Sequence, residues 1–144
     1  MKRKYYFVVL VLVLAIFLVG CGSSGIVTTT MSDEAQITNK IGQFCVALSD
    51  KNFDLAKSYC YPGSSAYLMI VQFENMIPSS IQMSDVTAWF NPAIYSIDVT
   101  GNEATVIVSV NMQVSYQGQY LINEETEPGI MKLIKSGGEW YFYY

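Results

Sequence analysis

A chain with no histidine, and with Arg3 as its only arginine, must do any chemistry with carboxylates, tyrosines, lysines and three cysteines. Histidine-based triads, cysteine–histidine pairs, histidine-containing zinc sites and bidentate arginine clamps are excluded by composition. No Ser-x-x-Lys occurs, so that route to an activated serine is missing as well. The densest acidic group is Glu124, Glu125 and Glu127 beside Pro128-Gly129. It lacks the further acids that a calcium loop needs at fixed spacing, and it reads as a solvated, charged strand end. No metal and no cofactor is expected. The tyrosines and several methionines suit the wall of an apolar pocket, though core packing is the commoner use of such side chains.

Lys2, Arg3 and Lys4 precede a run, residues 5–19, that contains nothing more polar than tyrosine. A charged start followed by such a run is the pattern of an export signal. As a helix the run would extend about 22 Å at roughly 1.5 Å per residue, short of a hydrocarbon layer about 30 Å thick. Leu18-Val19-Gly20-Cys21 follows at once and resembles the lipobox of bacterial lipoprotein signal peptides. That resemblance implies removal of residues 1–20, lipid (diacylglycerol and palmitate) on Cys21, and a protein anchored in the cell envelope outside the cytoplasm. Two or more acyl chains hold a protein stably where one is marginal.

Residues 22–30 are rich in Gly, Ser and Thr and read as a flexible tether, roughly 15–18 Å end to end. With Cys21 and Met31 they separate the signal from a domain over residues 32–144. Gly20-Cys21-Gly22-Ser23-Ser24-Gly25 matches a dinucleotide fingerprint by letter, but it lacks the strand-to-helix setting that gives the motif its function. Without residues 1–20, five basic residues face twelve acidic ones. Such a surface is a poor partner for phosphate backbones, so no nucleic acid is expected. The membrane is expected to be met through the lipid on Cys21.

The elements that must position any site follow from periodicity. Ser32 is placed to cap a helix with Asp33 and Glu34 in its first turn, and Ile37, Ile41, Phe44, Cys45 and Leu48 form its apolar face. After Ser49-Asp50-Lys51-Asn52 a shorter helix carries Phe53 and Ala56. A third starts at Ser64 or Ser65 and turns Tyr67, Ile70, Phe73 and Met69 inward. Cys45 and Cys60 fall on the first two helices, on opposite sides of one short turn, so antiparallel packing brings them near each other. In an exported domain the two are a candidate disulfide, with a pair of buried free thiols as the alternative. Residues 81–93 fit either a strand or a helical turn.

Beyond them the period becomes two. Tyr95, Ile97 and Val99 alternate with Ser96 and Asp98. Ala104, Val106, Val108, Val110, Met112, Val114 and Tyr116 then share one face over thirteen alternating positions, long enough to predict a bend or bulge. Turns at Gly118 and at Gly137-Gly138 separate two further strands. Three helices followed by a hairpin-linked antiparallel sheet is an α+β order.

This order resembles the NTF2-like fold, in which helices lie on a curved antiparallel sheet and enclose a cone. Three segments carry the likeness to that family's small lipoproteins. They are residues 47–56 (helix, turn, then Phe53), residues 97–106 around Thr100-Gly101-Asn102-Glu103, and the terminal Gly138-Glu139-Trp140-Tyr141-Phe142. The resemblance implies either a non-enzymatic module binding an apolar small ligand or a protein, or an isomerase- or cyclase-type enzyme. The enzyme would set a carboxylate beside a tyrosine in the cone. Asp85 and Asp98, with Tyr67, Tyr95 and Tyr116 as candidate pocket residues, supply the types. Asp98 points away from the apolar face by strand alternation, no catalytic motif of the family matches, and the binder is the favoured reading. The opposite face, from Thr105 to Ser115, is uncharged and rich in hydroxyls and amides. Related folds commonly pair through such a face, so it reads either as the seam of a homodimer or as an ordinary solvated face.

Overall fold

The computed structural model describes residues 31–144; the signal segment, Cys21 and the tether lie outside them. Helix α1 (Asp33–Ser49) begins where Ser32 accepts the Ala35 N–H at 3.2 Å, and Asp33 and Glu34 face its positive end. It buries Ile37, Ile41, Phe44, Cys45 and Ala47, while Leu48 is only half-buried at the core's margin. Lys51, at φ 58°, reverses the chain in the left-handed conformation usually left to glycine. Asn52 then caps α2 (Phe53–Ser58) and Ser64 caps α3 (Ser65–Met76). Ala66 and Ile70 anchor α3 in the core, but Met69 and Phe73, expected inside, are 59% and 44% exposed. The helix is held by its first turns and by Lys57, which bridges Asp54 at 2.8 Å and Glu74 at 2.9 Å.

The sheet has five antiparallel strands: β1 (Val86–Thr100), β2 (Glu103–Tyr116), β3 (Gln119–Glu125), β4 (Gly129–Ser136) and β5 (Glu139–Phe142). The ambiguous segment resolves into one 3-10 turn (Met83–Asp85) running straight into β1. Pro92 is tolerated inside that strand because β1 is a sheet edge and its missing N–H breaks no ladder bond. The helix seals this edge. Ser49 Oγ accepts the Phe90 N–H at 3.0 Å, and Lys51 Nζ donates to the Val86 carbonyl at 2.7 Å.

Strand β2 is the spine. It pairs with β1 along its whole length, and on its other side with β4 from Glu103 to Val108 and with β3 from Asn111 to Tyr116. At the changeover Thr126 stands in for a strand residue, bonding Val110 through both its backbone and its hydroxyl. The extra residues fall on the partners of β2: Tyr95 on β1 between Ile94 and Ser96, and Leu121 on β3 opposite the Val114–Ser115 step. Ile94 thereby joins Ile97 and Val99 on the core face, and Tyr95 turns outward. The Gly137-Gly138 turn, both residues at positive φ, closes the last hairpin in the twist that two-residue loops require.

Beyond β5 the chain of residues 59–61 adds a short parallel rung, with Tyr61 N–H on the Phe142 carbonyl at 2.8 Å and Phe142 N–H on Tyr59 at 2.9 Å. The three helices lie against the strongly curled sheet. Their common core runs from Ile37 and Ile41 through Val106 and Leu133 to Trp140. The Trp140 indole also donates to Asp33 Oδ1 at 3.1 Å, and Lys135 Nζ meets the same oxygen at 2.6 Å. These two bonds fix the start of α1 on the sheet.

Trp140 is 1% exposed and Trp89 is 45% exposed. Trp140→Ala should therefore cost about 3–5 kcal/mol, and Trp89→Ala within about 0.5 kcal/mol, as read by urea unfolding. The hydrogen bonds from Lys135 and then Trp140 hold the Asp33 carboxyl below its ordinary range. The stability it contributes is present above an unfolded-state value near 3.9 and is lost as pH falls through the lower folded value. Acid unfolding of Asp33→Asn should lack that limb.

Candidate functional site

The core face of the sheet continues past the core. Register places Val86 opposite Tyr116, Ala88 opposite Val114, Phe90 opposite Met112 and Pro92 opposite Val110. On the other side Ile122 lies opposite Val114, and Glu124 opposite Met112. Cross-strand partners project from the same face, so these side chains form one wall in line with Val108 and Val106. The β1 and β2 members are half-buried, Ile122 is 37% exposed, and none belongs to the core cluster. The end of α1 reaches the β1 edge of this wall, where Ser49 meets Phe90 and Lys51 meets Val86, while the β3 side carries the exposed Ile122 and one carboxylate, Glu124.

The three candidate tyrosines do not share a pocket. Tyr116 ends the wall, where its hydroxyl accepts from Gln117 Nε2 at 3.3 Å. Tyr67, half-buried on α3, lines an open cleft of about 530 Å³ with Lys57, Ser58 and Tyr141. Tyr95 stands on the opposite side of the sheet because of the bulge, which period-two counting could not register. Its hydroxyl lies 3.2 Å from Ser109 Oγ, and Ser109 donates to Glu125 Oε1 at 3.0 Å. Ser109 is 1% exposed, too enclosed to attack a substrate. Asp85 and Asp98 are both exposed. The carboxylate–tyrosine pairing that an isomerase-type site needs is therefore not assembled on the wall. Among the described residues, no three Cys, Asp or Glu side chains gather as metal ligands.

Cys45 and Cys60 are separate, buried thiols. Cys60 belongs to the main core cluster beside Phe142, with its thiol 3.6 Å from the Ala56 carbonyl. Cys45 lies outside that cluster and lines the groove between α1 and β1. The second helix stops at Ser58, so Cys60 sits beyond it in the short rung with Phe142 and not on the helix where residue spacing placed it. Burial pushes both thiols up to about 11.

No protein-family profile matches the chain, and no curated protein matches it. Solved structures do. An NTF2-like protein from Cytophaga hutchinsonii superposes with a TM-score of 0.59 at 10% identity, covering 78% of this chain and 93% of that one. A protein of unknown function from Mycobacterium tuberculosis gives 0.57 at 13% identity, over 85% and 75%. A Nostoc punctiforme protein of unknown function with a cystatin-like fold gives 0.51 at 14%, over 78% and 87%. The described domain thus has an NTF2-like fold: helices on a curled antiparallel sheet. The fold alone assigns no activity, since such scaffolds carry unrelated functions.

The thiols supply a pH prediction. Both fold with raised values, so their contribution is intact below the unfolded value near 8.5 and is lost as pH rises towards about 11. Native protein at pH 8 should resist alkylation at both cysteines, and urea should expose them. Stability should fall between about pH 9 and 11, and a Cys45→Ala/Cys60→Ala variant should lose much of that slope.

Proposed function

We propose that this chain is a lipid-anchored binding module of the cell envelope, tethered through Cys21, whose open apolar wall takes a small apolar ligand. The observation that carries the reading is the register-aligned wall of Phe90, Met112, Val114 and Ile122, in line with the core face yet outside the core cluster, with Ile122 exposed and the other three half-buried. Soluble domains rarely leave an aligned apolar surface of this kind without a use for it. A concave, mostly apolar surface with few polar groups is the ordinary form of a small-ligand site. The anchoring half of the proposal rests on the charged start, the apolar run and Leu18-Val19-Gly20-Cys21.

Native mass spectrometry of protein extracted from its own membranes should find a small apolar molecule bound. Met112→Asp, which sets a charge in the middle of the wall, should shed it and weaken binding of a neutral fluorescent probe such as N-phenyl-1-naphthylamine at least tenfold, about 1.4 kcal/mol. The reading fails if wild-type protein is empty and takes up no probe. For the anchor, intact mass should show a chain beginning at Cys21 with lipid mass added. A Cys21→Ala chain that is still cleaved after Gly20 and still partitions with membranes would contradict it.

A further inference from the structure

We propose that the outer face of the same half-sheet is a second site, which binds a neutral polysaccharide chain. Three aromatic rings stand out from it: Trp89 at 45%, Tyr95 at 60% and Tyr120 at 67% exposure. Register puts Trp89 opposite Gln113, which is opposite Asn123; it puts Asn91 opposite Asn111, which is opposite Glu125. Tyr120 lies opposite Ser115, and Thr87 on the other side of that serine. All of these project from the side away from the apolar wall. The rings are set about 20 Å apart along β1, from Trp89 to Tyr95, and about 10 Å across from β1 to β3, taking roughly 3.3 Å per residue and 4.8 Å per strand.

The face is built as well as exposed. Ser109 has a single O–H, which it donates to Glu125 Oε1 at 3.0 Å, so the Tyr95 hydroxyl is the donor across the 3.2 Å contact with Ser109. This chain, closed over a hydroxyl that is 1% exposed, fixes the direction of both the tyrosine ring and the carboxylate. Trp89 and Asn91 also line an open groove of about 590 Å³ that runs beside α1 past Gly42, Val46 and Ser49. A cleft thus adjoins the platform.

The ligand class follows from the chemistry. A sugar ring has apolar C–H faces, which flat exposed aromatic rings cover, and a rim of hydroxyls that both donate and accept. Asparagine and glutamine side chains answer such a rim because each carries a donor and an acceptor. Charge complementarity selects a neutral polymer. No lysine lies among the paired residues of this half-face, its one ionised group is Glu125, and acidic residues outnumber basic ones in the whole chain. A polyanion would be repelled. Single-stranded nucleic acid could stack on the rings but would find none of the cations that its backbone needs.

The test uses the full chain in detergent held at one concentration throughout. Trp140 is buried, so a change in tryptophan emission on adding ligand reports Trp89. Titration with neutral hexasaccharides of glucose, N-acetylglucosamine, xylose or mannose should give a saturable blue shift with at least one of them. In affinity electrophoresis with the matching polysaccharide, Trp89→Ala and Tyr95→Ala should each weaken retention at least tenfold, and Ser109→Ala should weaken it several-fold. Met112→Asp, on the opposite face, should leave it unchanged. The proposal is overturned if no hexasaccharide produces a shift up to about 10 mM, tenfold above a millimolar Kd. It is equally overturned if oligothymidylate binds as well as the sugars. A blue shift that appears without sugar as protein concentration rises would assign the face to a second copy of the chain instead.

Discussion

The rest of this domain depends on one long strand, β2, which pairs with β1 along its whole length and with β4 and then β3 on its other side. The first half of the strand, Ala104 to Val108, is sealed by Ile37, Ile41 and Phe44 from α1 and by Ala66 and Ile70 from α3. The second half has the same alternation and the same apolar residue types, but its side chains are half-buried and lie outside the core cluster. An antiparallel sheet normally needs one apolar face covered. Under the proposed function, this outlying part of that face is what the fold offers to a ligand.

The helix is fixed at its two ends by different chemistry. At its start, Asp33 receives Lys135 and the Trp140 indole, which ties the first turn to β4 and β5. At its end, Ser49 and Lys51 bond the backbone of β1 and seal an edge that would otherwise be free to pair with another chain. Between these points Lys40 reaches Glu139 at 3.2 Å and lies over the rings of Tyr59 and Tyr141. In β3, by contrast, every residue is exposed.

Much of this could be read from the residues. Ser32 and Ser64 announced two helix starts, the offsets of Ile37, Ile41 and Phe44 gave the buried stripe, and the alternation through Val106 and Val108 gave the central strand. The α+β order came from counting periods, and the resemblance to the NTF2-like fold added the cone. What escaped were features set by tertiary contact. The strand before Tyr95 was hidden by Pro92, which is harmless only because β1 is an edge. The Tyr95 bulge moved that ring to the other face, and nothing local marks which residue of Ile94-Tyr95-Ser96 will be extra. Cys60 was counted onto a helix that in fact stops at Ser58, so its spacing from Cys45 did not fix its neighbours. Trp89 and Tyr120 drew no attention, because only a register can set them on the face that carries Gln113.

The proposal that the distal half of the wall is the ligand site is tested most directly by methyl-resolved NMR during titration with a neutral apolar probe. The account predicts that the largest shifts fall on Met112, Val114 and Ile122, while Val106 and Leu133, under the helices, scarcely move. Shifts centred instead on Val46 and Leu55, in the open groove of about 440 Å³ between α1 and α2, would contradict it.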